Sequence, residues 1–286
     1  MSAVMAPAAG MARADLPPPD RHALSAHGLT LRVGRRLLLD RADIGLRAGR
    51  VTAILGPNGA GKSTLLSVLA GARAPTHGEV HMNGRALRAQ SPAALALCRA
   101  LMPQESAVAF EFTVQEIVAL GRFPHRRAPC ADSDGEGGED GIIERAMACT
   151  DVQGLAARVL NSLSGGEKAR VHMARTLAQL WHPRADGAAR WLLLDEPTAA
   201  LDLQHQHGAM RLLRDWAGAG VGIVMVLHDL NLARRYADDV IVLDGEGSLV
   251  QGSARDVLHT DLIERVWRTP CQVVASADGT PQYLFG

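Results

Sequence analysis

Val51-Thr52-Ala53-Ile54-Leu55-Gly56-Pro57-Asn58-Gly59-Ala60-Gly61-Lys62-Ser63-Thr64 is the stretch on which the fold turns. Its first five residues form a compact apolar run, short enough for a buried strand. Residues 56–63 fit G-x-x-x-x-G-K-[ST] at every fixed position. Lys62 to Ala70 then reads as a helix, with Gly71 where a helix ends. Strand, glycine-rich loop and helix in that order is the setting a phosphate-binding loop needs. The glycines let successive backbone N–H groups turn inward as an anion nest, and the helix adds its N-terminal partial charge. Gly56 through Thr64 are therefore the candidate nucleotide-binding residues. Lys62 is placed to reach β- and γ-phosphates, and the Ser63 hydroxyl to ligate Mg²⁺.

Outward from the loop, residues 23–55 alternate apolar and polar, with Gly28, Gly34 and Gly49 as turn signals, which predicts several short strands. Strand signals return at Trp191 to Asp195 and at Val221 to Leu227, each followed by a helical pattern. That alternation predicts an α/β domain with a mostly parallel sheet and helices on both faces. Between them helical periodicity dominates, over Pro92 to Ala100, Val114 to Leu120 and Ile142 to Cys149. We read this as an inserted helical subdomain over about residues 95–160. Within it the acidic, glycine-rich run 132–140 has nothing to bury and predicts a mobile loop over 131–141. Residues 1–22 are Ala- and Pro-rich and read as a disordered lead-in to one domain over 23–286.

Composition narrows the function classes. The 286 residues are 47% hydrophobic and 21% charged, and 30 basic residues balance 30 acidic ones. No basic excess points to nucleic acid. The apolar runs fall far short of the ~18 residues of a membrane helix. The N-terminus lacks a charged segment followed by an apolar run, so no secretory signal is expected. Cys98, Cys130, Cys149 and Cys271 are scattered without a C-x-x-C pair and read as free thiols. His77 and His81, and His205 and His207, lack companions at ligand spacing and read as solvated rather than metal-binding.

Further candidates lie at strand ends. Trp191-Leu192-Leu193-Leu194-Asp195-Glu196 is an apolar strand closing on two carboxylates. Such a pair needs a cation or a proton to handle: Asp195 suits the surroundings of Mg²⁺, and Glu196 suits a general base for an attacking water. Val224 to Leu227 delivers His228, placed to meet a γ-phosphate. Gln104 follows the apolar segment 100–103. Leu163-Ser164-Gly165-Gly166-Glu167 precedes a helical pattern, and Ser164, Gly165 and Gly166 offer a hydroxyl and close backbone amides at a helix start, a second anion site.

Leu163 to Glu167 resembles the signature of ATP-binding-cassette ATPases. With Gly56–Thr64, Gln104, Asp195-Glu196, Ala200-Leu201-Asp202 and His228 in order, the resemblance covers the chain from about residue 23 to its end. It implies a P-loop NTPase of α/β class: a RecA-like core with an antiparallel β subdomain, plus the inserted α-helical subdomain of these cassettes. It implies an ATPase using ATP and Mg²⁺, with Ser63, Gln104 and Asp195 at the metal, and Glu196, His228 and Gln104 as catalytic residues. It also implies a head-to-tail pair of copies. Each ATP is then sandwiched between residues 56–64 of one copy and 163–167 of the other, with Asp202 coupling the two sites. An aromatic often stacks on adenine upstream of the phosphate loop in this family; Val33 stands there, which removes the stacking partner.

Phe110 to His125 is similar to the cassettes of importers of iron-siderophores, cobalamin and haem, in which the helical subdomain meets the membrane permease. Residues 181–190, 197–207 and 228–238 are most similar to the haem group. The resemblance implies two copies on a two-copy permease at the cytoplasmic face of a bacterial inner membrane, a periplasmic haem-binding protein acting through the complex, and no nucleic-acid partner. A siderophore or cobalamin cargo, and a soluble cassette outside transport, stay open at this level.

Overall fold

The computed structural model describes residues 20–104, 111–127, 138–277 and 279–286. The chain opens with β1 (Ala23–Val33) and β2 (Arg36–Arg47), paired antiparallel. Gly28 lies inside β1, where the register slips between Ala26 and Leu29 as at a bulge. The several short strands expected before residue 50 are thus two long ones. β3 (Val51–Leu55) is buried at all five positions and leads through the loop into α1 (Lys62–Leu69). β4 (His77–Met82) and β5 (Arg85–Ala86) complete an antiparallel sheet ordered β2-β1-β4-β5.

α2 (Pro92–Ala96) starts from a Ser91 cap and stops early. Arg99 and Ala100, read from sequence as the end of that helix, instead open β6 (Arg99–Met102) of the main sheet, the strand that leads to Gln104. The helical lobe therefore begins beyond β6. It contains α3 (Val114–Leu120), α4 (Gly138–Cys149) and one face of α5 (Gly165–Gln179). Val114, Ile117 and Val118 pack there with Ile142, Ala146 and Met147, and with Val171, Ala174 and Ala178 of α5. Another stripe of α5, Met173 and Leu177, enters the core beneath the main sheet. One helix thus belongs to two cores and ties the lobe to the sheet.

The acidic run departs from expectation where it is described. α4 begins at Gly138, and Glu139 accepts two hydrogen bonds from Arg122, at 2.7 and 2.8 Å. Arg122 is only 4% exposed, so a residue expected to sit in solvent supplies the counter-charge a buried guanidinium requires. Residues 131–137 of the expected loop, Cys130, and residues 1–19 of the expected lead-in lie outside the described residues. The last residues of that lead-in are tied into the fold: the Arg21 and His22 carbonyls accept from the Ala189 and Ala48 N–H groups at 3.1 and 2.8 Å.

The remainder comprises β7 (Trp191–Asp195), α6 (Leu203–Gly218), β8 (Gly222–Val226), α7 (Leu230–Tyr236), β9 (Asp239–Leu243), β10 (Leu249–Ser253), α8 (Ala254–Val257), α9 (Thr260–Trp267) and a hairpin of β11 (Cys271–Ala275) with β12 (Pro281–Phe285). The main sheet runs β10-β9-β3-β8-β7-β6, parallel except at β10. Its central strands are buried on both faces. Leu192, Leu194, Ile223 and Met225 enter one core; Leu193, Val224 and Val226 enter the other, shared with α1 and the antiparallel sheet. Burial on both sides is why these strands read as continuous apolar runs.

His172 of α5 is 7% exposed, and its Nδ1 has no hydrogen-bond partner among the described residues. Burial, with repulsion from Arg175 and Lys168, lowers its pKa from 6.5 to about 4. Between those values the unfolded chain binds a proton that the folded chain refuses. Stability is therefore full above about pH 6.5 and is lost as pH falls toward 4. A His172→Leu variant is expected to lose less stability than the parent between pH 7 and pH 4.5, read from urea midpoints. Equal losses would assign the acid sensitivity to other groups.

Candidate functional site

Four neighbouring parallel strands deliver the candidate residues to one edge of the sheet. β3 ends at Leu55 and leads into Gly56, β8 is followed by Leu227 and His228, β7 ends on Asp195 before Glu196, and β6 leads through Pro103 to Gln104. The carboxyl edge of a parallel sheet is where such folds bind ligands.

The loop is held by packing as well as by its own turns. Gly56 has φ 146°, and a Cβ there would stand 2.4 Å from the Leu243 carbonyl oxygen at the end of β9. Only glycine lets the loop pass that strand end. The N-cap of α1 is Gly61, with no side-chain cap, so the first N–H groups of the helix are left to an external acceptor. Lys62 is 6% exposed, and its Nζ donates to the Gly56 and Pro57 carbonyls at 3.0 and 3.1 Å. Burial lowers its pKa, while Glu196 and Asp195 act in the opposite direction. The Ser63 hydroxyl donates to Asp195 Oδ1 at 3.0 Å. Asp195 is 7% exposed; burial raises its pKa against that hydrogen bond.

The three remaining strand-end residues meet on one carboxylate. Gln104 Nε2 donates to Glu196 Oε2 at 3.0 Å, and His228 Nε2 lies 2.5 Å from Glu196 Oε1. Both oxygens of Glu196 are thereby oriented. Its backbone is left-handed, φ 51°, a conformation that costs a non-glycine residue about 1–3 kcal/mol and collects at functional sites. The oxygens of Ser63, in the first turn of α1, and of Asp195 and Gln104, at the ends of the neighbouring strands β7 and β6, are hard donors. They fit Mg²⁺, which favours a few protein oxygens completed by phosphate and water over an all-protein cage.

The second glycine motif lies on the helical lobe. Ser164 caps α5: its hydroxyl accepts from the Glu167 N–H at 3.3 Å, and Glu167 Oε2 accepts from the Ser164 N–H at 2.7 Å. These bonds hold the Glu167 carboxyl below the usual range. Leu163 is buried. A Cβ on Gly166 would stand 2.9 Å from the Ala200 carbonyl oxygen, so this glycine admits the segment that leads to Asp202. Asp202 caps α6 through the His205 N–H at 2.9 Å and also meets His205 Nδ1 at 2.9 Å. His205 Nε2 is 3.7 Å from Asp151 Oδ2, which pairs with Arg170 of α5 at 3.0 Å. Asp202 is thus linked to the signature helix of its own chain. Among the described residues no side-chain hydrogen bond or ion pair joins 56–64 to 163–167.

Val33 is 44% exposed at the end of β1 and pairs with Arg36 of β2. Arg36 Nη1 lies 3.3 Å from where a Cβ on Gly59 would stand. Sequence reading missed Arg36. The signal was present in the Gly34-Arg35 turn, which brings residues 33 and 36 opposite each other.

Comparison with known proteins gives a consistent picture. The family model described as "ABC transporter" matches residues 39–199. A hemin import ATP-binding protein of Nocardia farcinica is 48% identical over 239 residues, spanning 84% of this chain and 78% of that protein. An ABC transporter solved in an inward-facing conformation, described as being of the metal-chelate type, is 25% identical with a TM-score of 0.74, covering 93% of this chain and 98% of that one. An ATP-binding cassette solved as a dimer in a post-hydrolysis state, with ADP and Pi, is 25% identical with a TM-score of 0.68, covering 81% and 99%.

Proposed function

This chain belongs to the ABC transporter family, and from that premise we propose that it is the ATP-hydrolysing, energy-coupling subunit of an importer whose cargo is haem. The observation that carries the enzymatic part is the meeting of Gln104 and His228 on the Glu196 carboxylate, beside the loop that holds Lys62. The backbone of residues 56–64 and the Lys62 ammonium bind the triphosphate. Ser63 and Gln104, with Asp195 behind Ser63, hold Mg²⁺, which when bound neutralises charge on the β- and γ-phosphates. Glu196 takes a proton from the attacking water as general base. Gln104 and His228 fix the direction of its oxygens and stand beside the γ-phosphate.

The signature residues Leu163 to Glu167 belong to the ATP site of a second copy. Their separation from the loop within one chain supports this, as does the relative solved as a dimer. Asp202, joined to α5 through His205, Asp151 and Arg170, couples the two sites. The helical lobe exposes Leu120 (47%) and Phe123 (66%). This apolar pair suits docking on a permease at the cytoplasmic face of the inner membrane, with a periplasmic haem-binding protein acting through the complex. No described helix is long and apolar enough to cross a membrane. The haem cargo rests on the hemin-import relatives. Vesicles holding the complete complex should take up haem and leave a ferric siderophore and cobalamin outside; the reverse would reassign the cargo.

Mixing two defective chains tests the composite site. Ser164→Asp keeps an N-cap but sets a negative charge against the phosphates of the partner's site. Lys62→Ala disables the loop. Each variant alone is expected to be nearly inactive. Mixed, they form pairs with one intact site, and a clear fraction of the ATPase rate returns. A mixture as inactive as its components would place both motifs in one molecule's site.

A further inference from the structure

We propose that Arg36 is the nucleobase-binding residue of this chain, its guanidinium supplying the flat face that Val33 cannot. The proposal rests on residues 56–64 being the nucleotide site. Three observations lead to it. Val33 and Arg36 are direct partners in the β1–β2 hairpin, and directly opposed residues project from the same face. That face is laid on the phosphate loop at two points. Arg36 Nη1 lies 3.3 Å from the Cβ position of Gly59, and Leu38, two residues further along the same face of β2, lies 3.1 Å from that of Gly61. Finally, Arg36 is exposed, and among the described residues its side chain makes no hydrogen bond or ion pair. The guanidinium is not committed to holding the fold.

Its chemistry matches the flank of a nucleotide. A guanidinium is planar, delocalised and weakly hydrated, and it stacks on π systems. Every nucleobase offers such a π face. Val33, aliphatic and 44% exposed, adds apolar contact but no π or cationic surface. Standing beside Gly59, Arg36 flanks the loop at a point where the nucleoside of a triphosphate held by residues 56–64 would find a planar partner. Arg36 is then a specificity and positioning residue for the base, not a catalytic one. Stacking of this kind recognises the base by its face, so selection between purines through edge hydrogen bonds lies outside its role.

A cation beside the loop could instead act on phosphate, and the test separates the two. Binding of ATP and of inorganic tripolyphosphate, each with Mg²⁺, is measured by calorimetry on the full chain. Arg36→Ala is expected to weaken ATP binding roughly 3- to 30-fold, the range of a cation–π contact, and to leave tripolyphosphate affinity unchanged. Arg36→Lys, which keeps the charge and loses the plane, is expected to weaken ATP like alanine. Adding Val33→Tyr to Arg36→Ala is expected to restore ATP affinity. Equal loss for both ligands, or full ATP binding by Arg36→Lys, overturns the proposal. Lys62→Ala serves as the control: if it binds both ligands like the parent, the nucleotide-site reading itself fails, whatever Arg36 does.

Discussion

Glu196→Gln is expected to lower ATP turnover by about 10²–10⁴-fold, the range for losing a general base, while ATP binding survives. Glutamine preserves the size of the side chain, and its amide oxygen can still accept from Gln104 Nε2 or from His228. What it loses is the basicity that takes a proton from water. The left-handed backbone at this position, φ 51°, is no harder for glutamine than for glutamate, so the site should keep its shape. Phosphate release and nucleotide binding measured on one preparation separate chemistry from binding. A rate within a few-fold of the parent would move the base role to another group. Loss of binding together with rate would make Glu196 part of the nucleotide cradle instead.

Lys62→Ala is expected to act on the other quantity, weakening nucleotide affinity by about 10²-fold, as for the loss of one or two hydrogen bonds to a charged group. The ammonium is nearly buried, and it lies close enough to Asp195 and Glu196 for both to oppose the lowering of its pKa. Removing it takes a donor from the triphosphate and leaves two carboxylates facing an anionic ligand without their cation. The two loop carbonyls that lose a donor, Gly56 and Pro57, are the expected structural cost. A circular dichroism spectrum matching the parent would show the fold intact. ATP affinity within threefold of the parent would contradict the role given to the loop.

Much of the site could be read without coordinates because chain geometry fixes it locally. A loop that must present successive N–H groups to phosphate needs glycines at set spacings, and a strand buried on both faces needs an unbroken apolar run. Residues 51–64 and 191–196 therefore announced themselves. The start of β6 at Arg99 and Ala100, inside the helical pattern read over 92–100, did not. Arg, Ala, Leu and Met are good helix formers, and only pairing with β7 makes them a strand. Glu139 read as solvent-exposed because an acidic, glycine-rich run has no apolar stripe. The partner that draws it in, Arg122, lies across a stretch of chain no local pattern spans. Gly28 looked like a turn, and the pairing of β1 with β2 and β4 makes it a bulge.

The sequence by itself determined the glycine-rich loop between a strand and a helix, the acidic strand end, the helix start after Leu163 and the α/β class, since each depends on residues adjacent along the chain. Tertiary structure alone decided that Gln104 and His228 share one carboxylate, that Gly56 must clear the Leu243 carbonyl, that Gly166 must clear Ala200, and that Arg36 lies beside Gly59. These contacts join strands and segments far apart in sequence, and sheet order and register set them. The identity of a residue fixes what it can do, but only the packing of the sheet fixes which partner it meets.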